Sequence, residues 1–188
     1  MKGMRVVRLW FYNPASESSS FFNKMVARLD PPFSHSELQF ENEEASTIYH
    51  GDVARLKARA FDRQFYTCVC VPCTQAQYAQ AYTFAQTAMT QALPFSTVAM
   101  GNSIFQLPLH TSGTFCSKLN ADTLCSAGIL SHIDTQTITP SKLHRLLTPG
   151  TSTEQCKQVQ VTPLSGQGKS AALDWSINLH QSEQKLSL

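Results

Sequence analysis

Gly113-Thr114-Phe115-Cys116-Ser117-Lys118-Leu119 runs into a short helical pattern that stops at Gly128. A thiol in the first turn of a helix stands beside backbone N–H groups with no partner inside the helix and at the positive end of the helix dipole. Both favour the thiolate, the nucleophilic form of cysteine. Such a thiol needs a base, and the clearest candidate lies upstream in Phe33-Ser34-His35-Ser36-Glu37-Leu38-Gln39-Phe40, where a histidine opens a strand-like alternation. His35, Glu37 and Gln39 fall on the more polar face and Ser36, Leu38 and Phe40 on the other, because successive strand side chains point to opposite sides. This alternation, together with that of the other strands and the capped amphipathic helix that starts at Thr74, predicts an α+β fold, with an antiparallel sheet packed against helices.

Outward from these two stretches, Met4 to Tyr12 reads as a strand, and Asn13-Pro14 with the serines that follow reads as a turn. Phe21, Phe22, Met25, Val26 and Leu29 trace an amphipathic helix that Pro31-Pro32 ends. His35 to Phe40 and Ser46 to His50 form a hairpin around the acidic turn Glu41-Asn42-Glu43-Glu44. Val53 to Ala60 is a further extended piece, and Phe65 to Val71 a strand rich in aromatic, β-branched and cysteine residues. Thr74 and Gln77 make a capping box for a helix whose apolar face is Tyr78, Ala81, Tyr82, Ala85, Ala88 and Met89, ending before Pro94. Phe95 to Gly113 reads as an irregular loop leading into the site, Phe115 to Ala127 as the nucleophile helix, and Pro140 to Leu147 as a short helix with Ser141 near its start. Residues 1–149 are expected to form the catalytic domain. Residues 150–188 read as a polar, partly flexible extension with one aromatic island, Leu173-Asp174-Trp175-Ser176-Ile177.

At 188 residues the chain is long enough to bury its own core without staples. Its formal net charge of +2, with no run of Lys or Arg, lacks the electrostatic footprint of a nucleic-acid partner. The N-terminal stretch, interrupted by Arg5 and Arg8 and followed by no small-residue cleavage site, reads as a first strand. No segment approaches the ~18 consecutive apolar residues of a membrane span. The six cysteines are therefore expected to be reduced, in a cytoplasmic setting. Cys70-Val71-Pro72-Cys73 has the spacing of half a zinc site, but no second pair completes it. Small core-facing cysteines are the simpler reading, and no metal or other cofactor is expected.

Taken in order, Phe33-Ser34-His35-Ser36-Glu37-Leu38-Gln39-Phe40 after an N-terminal helix, Tyr78-x-x-Ala81-Tyr82-x-Phe84 on the capped helix, and Phe115-Cys116-Ser117 followed by Leu124 and Gly128 resemble the circularly permuted papain-fold hydrolases. These are the permuted branch of the NlpC-type superfamily, with YiiX-like proteins and the lecithin:retinol acyltransferase group as relatives. The resemblance spans Arg5 to Leu147. It implies a permuted papain-like fold in which Cys116 is the nucleophile, His35 the general base, and a polar residue on the following strand the group that orients His35. If the acidic turn centres near Asn42 and Glu43, residue 50 stands opposite residue 35, which makes His50 the expected third member. The acyltransferase relatives also use a second histidine. Thr47 keeps a shorter spacing and Glu37 shares the His35 face, so both stay open. His110, His132, His144 and His180 lack comparable placement.

Cys125 stands nine residues after Cys116, about half a helical rotation away, so the two cannot face one site. A Cys–His pair attacks a carbonyl to form a covalent acyl intermediate, and amides, isopeptides, esters and thioesters all satisfy that chemistry. The expectation is a thiol hydrolase of peptide or isopeptide bonds, with a peptide or protein substrate, ubiquitin-like proteins included, of the kind bacteria and large viruses encode. A lipid acyl hydrolase or acyltransferase would instead show an apolar groove at Cys116 lined by Phe33, Phe95 and Phe105. A catalytically silent binding module on the same fold is the third alternative.

Overall fold

The computed structural model describes residues 3–14, 19–107, 111–131 and 133–149. The expectations for 150–188, with Cys156, His180 and the aromatic island, and those for His110 and His132 lie outside the described residues. The elements follow as β1 (Met4–Tyr12), α1 (Phe21–Leu29), β2 (His35–Gln39), β3 (Glu44–Thr47), β4 (Arg55–Ala58), β5 (Tyr66–Thr74), α2 (Gln75–Thr90), α3 (Thr97–Phe105), α4 (Cys116–Ser126), a 3-10 turn at Thr135–Thr137 and α5 (Pro140–Leu147). The five strands form one antiparallel sheet in the order β4-β3-β2-β1-β5, and the protein is α+β.

Alternation decides what each face of the sheet meets. Val7, Leu9 and Phe11 of β1 and Leu38 and Phe40 beside them turn to the helices, against Tyr78, Ala81 and Ala85 of α2 and Ala121 and Leu124 of α4. The capping box of α2 is formed, Gln77 N donating to Thr74 Oγ1 at 3.2 Å and Thr74 N to Gln77 Oε1 at 3.0 Å. The opposite face carries Tyr12 and Trp10, paired with His35 and Glu37. It is covered by the segment after β4, where Phe61 stacks on Trp10 at 4.6 Å and Arg59 O accepts from Gln39 Nε2 at 2.9 Å. Every residue of β2 is consequently buried.

Two expectations need correction. The stretch expected to be irregular contains α3, capped by Ser96 Oγ accepting from Ala99 N and driven by burial of Ala99 and Met100 against Val26 of α1 and Phe115 at the start of α4. Tertiary burial overrides the low helix propensity of Gly101 and Asn102. Cys68, Cys73, Cys116 and Cys125 are free thiols, but Cys70, exposed on β5, is disulfide-bonded, and among the described cysteines only Cys73 and Cys116 are buried. The reduced reading rested on the sequence placement of the cysteines and on compartment, neither of which says which side chains meet. Among the described residues no helix is long and apolar enough to cross a membrane.

A narrow strap fixes the approach to α4. Ser96 N donates to Thr114 O at 2.7 Å, and Phe95 N to Asp52 O at 2.9 Å. Gly113 lies in this strap at φ +102, where a Cβ would meet Ser96 Cβ at 2.5 Å. Gly101, inside α3, has open space instead. Gly113→Ala is therefore expected to destabilise the protein by about 2 kcal/mol or more, and Gly101→Ala to stabilise it by up to about 1 kcal/mol. Urea unfolding of the two variants checks this, and equal midpoints would contradict it.

Candidate active site

The hairpin register determines which groups surround His35. Phe40 N donates to Glu44 O at 2.9 Å and Glu43 N to Phe40 O at 3.1 Å, with Glu43 at φ 68. This is a three-residue loop, Glu41-Asn42-Glu43, closed by a left-handed residue. It pairs Leu38 with Ser46 and Gln39 with Ala45. Continued along the chain, that register sets Tyr49, not His50, opposite His35, one residue away from the expected pairing. A one-residue slip turns every side chain to the other face. His50 is exposed, stacked on Phe22 of α1 at 4.3 Å and edge-on to Phe95 at 5.4 Å. Its ring contacts are thus with α1 and Phe95 and not with His35.

The two residues left open are the ones in place. His35 Nε2 lies 3.1 Å from Thr47 Oγ1 and 3.6 Å from Glu37 Oε1, and the ring stacks on Tyr49 at 4.9 Å. Glu37 is fully buried, and an unpaired carboxylate there would cost roughly 3–5 kcal/mol. Its Oε1 accepts from Tyr49 OH at 3.1 Å and Tyr66 OH at 3.4 Å and pairs with Arg59 Nη2 at 3.2 Å. Burial first, then the Glu37 charge, hold both tyrosine hydroxyls above their usual range, so they remain protonated donors. Sequence reasoning missed Tyr49, Arg59 and Tyr66. The three-residue turn, once recognised, would have placed Tyr49 opposite His35; Arg59 follows β4 and gives no such signal.

Cys116 is the first residue of α4, 1 % exposed, among Ile48, Ala54, Ala88 and Leu119. Its thiol and the His35 imidazole share a hydrogen bond, and the backbone N–H groups of Ser36 and Ser117 also donate to the sulfur. Burial by itself would raise the thiol pKa, but the His35 charge and these hydrogen bonds reverse it, and the thiol lies below its ordinary value. Burial would likewise lower the imidazole pKa; the Cys116 charge and hydrogen bond, then those of Glu37, push it up to about 9. Burial lifts the thiols of Cys68, Cys73 and Cys125 instead. Cys125, half-buried on the far side of α4, bonds Ser131 O at 3.5 Å and takes no part in the site.

Of the aromatic residues expected to line an apolar groove, only Phe95 belongs to the Cys116 cluster; Phe33 packs into the main core and Phe105 is exposed. His144 lies between Phe11 and Phe33, away from the thiol. No group of three or more His, Cys, Asp or Glu is placed to hold a metal ion among the described residues. Comparison of the chain with protein-family models, curated proteins and solved structures finds no match.

The shifts predict selective chemistry. Iodoacetamide at mildly acidic pH is expected to label Cys116 ahead of Cys68, Cys73 and Cys125, as read by peptide mass spectrometry, because only the thiolate reacts. Faster labelling of Cys125 would contradict the assignment.

Proposed function

We propose that the chain is a thiol hydrolase of the permuted papain type, cleaving amide or isopeptide bonds of a peptide or protein substrate through an acyl-enzyme intermediate. The observation that carries this reading is the direct Cys116–His35 contact at the start of α4, in which the thiol is lowered and the imidazole raised. The thiolate attacks the carbonyl carbon, and negative charge moves to the carbonyl oxygen. His35, as imidazolium, gives its proton to the leaving amine when the tetrahedral species collapses to the thioester. Neutral His35 then takes a proton from water as the water attacks, and the acid product leaves with Cys116 regenerated. Nε2–H donates to Thr47 Oγ1, with Glu37 Oε1 beside it, which fixes the orientation of the ring. Thr47 and Glu37 thus take the orienting role.

A second reading, hydrolysis or transfer of a lipid acyl group, is favoured by the apolar surroundings of Cys116, where Ile48, Leu119 and Phe95 would meet the acyl part. Activity probes bearing peptide, ubiquitin-like and acyl-ester recognition groups separate the two. Labelling of Cys116 by the first or second supports amide cleavage; labelling by the acyl ester alone supports the other.

With the best substrate, Cys116→Ala is expected to lower kcat/KM by about 10⁴ or more, and His35→Ala by about 10²–10⁴. Thr47→Val and Glu37→Gln should each cost about tenfold, whereas Cys125→Ala and His50→Ala should change little. The pH profile should rise as the lowered Cys116 thiol ionises and fall as pH passes about 9, where His35 loses its proton. Full activity in Cys116→Ala, or an essential His50, would contradict these roles.

A further inference from the structure

The two elements that carry the thiol and the imidazole are joined by a second buried contact. Asn120, one helical turn after Cys116, donates from Nδ2 to Ser36 Oγ at 3.0 Å, and Ser36 follows His35 directly. Neither Asn120 nor Ser36 has any exposed surface. The backbone of Ser36 matters more than its hydroxyl. Phe40 N donates towards β3, and N–H groups alternate sides along a strand, so those of Leu38 and Ser36 point the same way. Leu38 is paired with Ser46, but the β2–β3 ladder goes no further towards His35. The next N–H in line, that of Ser36, reaches the Cys116 sulfur instead.

We propose that Asn120 is a positioning residue that, through Ser36 Oγ, holds the unpaired N–H of β2 on the Cys116 sulfur and so sustains the thiolate. Buried polar side chains demand partners. A leucine at 120 would fill the same space as asparagine, but only a donor there fixes the strand at the point where its ladder has ended. The clamp gives α4 and β2 a second contact, one helical turn from Cys116, so the pair is held by two contacts along one helix face rather than one. The inference rests on Cys116 being the nucleophile.

The test is the pH dependence of iodoacetamide labelling of Cys116 in the full chain, with thermal unfolding in parallel. Asn120→Ala and Ser36→Ala are each expected to slow labelling at pH 6 by about tenfold, with the profile displaced to higher pH, and the double variant should be no slower than either. Thr123→Val, which removes another buried hydrogen bond of α4, Thr123 Oγ1 to Leu119 O at 2.7 Å, should lower the melting temperature and leave the profile in place. Should Asn120→Ala fail to fold, Ser36→Ala, which removes a single oxygen, decides the matter. Profiles that superimpose on wild type, or an equal displacement by Thr123→Val, would overturn the proposal. A wild-type Cys116 that labels only as an ordinary thiol would overturn the hydrolase reading itself.

Discussion

The contact between Cys116 and His35 is where burial and charge oppose each other, and the rest of the structure is arranged around that opposition. Each group is almost wholly out of water, which disfavours its charged form; each is nevertheless shifted towards that form by the other. Raising His35 from 6.5 to about 9 corresponds to about 3 kcal/mol of preference for the protonated ring. Because the folded value lies above the unfolded one, that stabilisation is fully present below pH 6.5 and is lost as pH rises through about 9. Separated by a few ångströms, each group would lose the partner that does most to oppose the effect of burial.

The fold supplies that proximity from two directions. On the sheet side, β2 is pinned by β1 along its whole length but released by β3 beyond Leu38, which opens the strand where α4 begins. On the helix side, the strap of Phe95 and Ser96 on Thr114 fixes the entry to α4. Ser141 of α5 adds a third tether, accepting from Phe33 N at 3.2 Å and donating to Asp30 O at 2.7 Å just before His35. Behind the imidazole, Tyr49, Tyr66 and Arg59 all converge on Oε1 of the buried Glu37 carboxylate, while its Oε2 has no hydrogen-bond partner. The sheet is thus apolar towards the helices and polar but closed on its other face.

Much of this was legible in the chain. The alternation from His35 to Phe40, the capping box at Thr74 and Gln77, and the position of Cys116 at a helix start all depend on neighbours within one turn or one strand, where local chemistry decides. What could not be read depends on contacts distant in sequence. His50 was set opposite His35 because the four-residue acidic stretch folds as a three-residue loop, with Glu43 in a conformation more usual for glycine or asparagine; in the resulting register Thr47 and Tyr49 stand beside His35 and His50 packs on Phe22. α3 was hidden because its stability comes from Val26 and Phe115 on other elements. Arg59 was invisible as a partner of Glu37, since only the sheet order brings β4's end back over β2.

The central claim, that a buried thiolate holds His35 in its protonated form, is tested most directly by NMR titration of the His35 ring in the wild type and in Cys116→Ala. The account predicts an imidazolium that persists to about pH 9 in the wild type and titrates at distinctly lower pH once the sulfur is removed, because burial then acts against a weaker set of opposing charges. Identical titrations in the two proteins would contradict it.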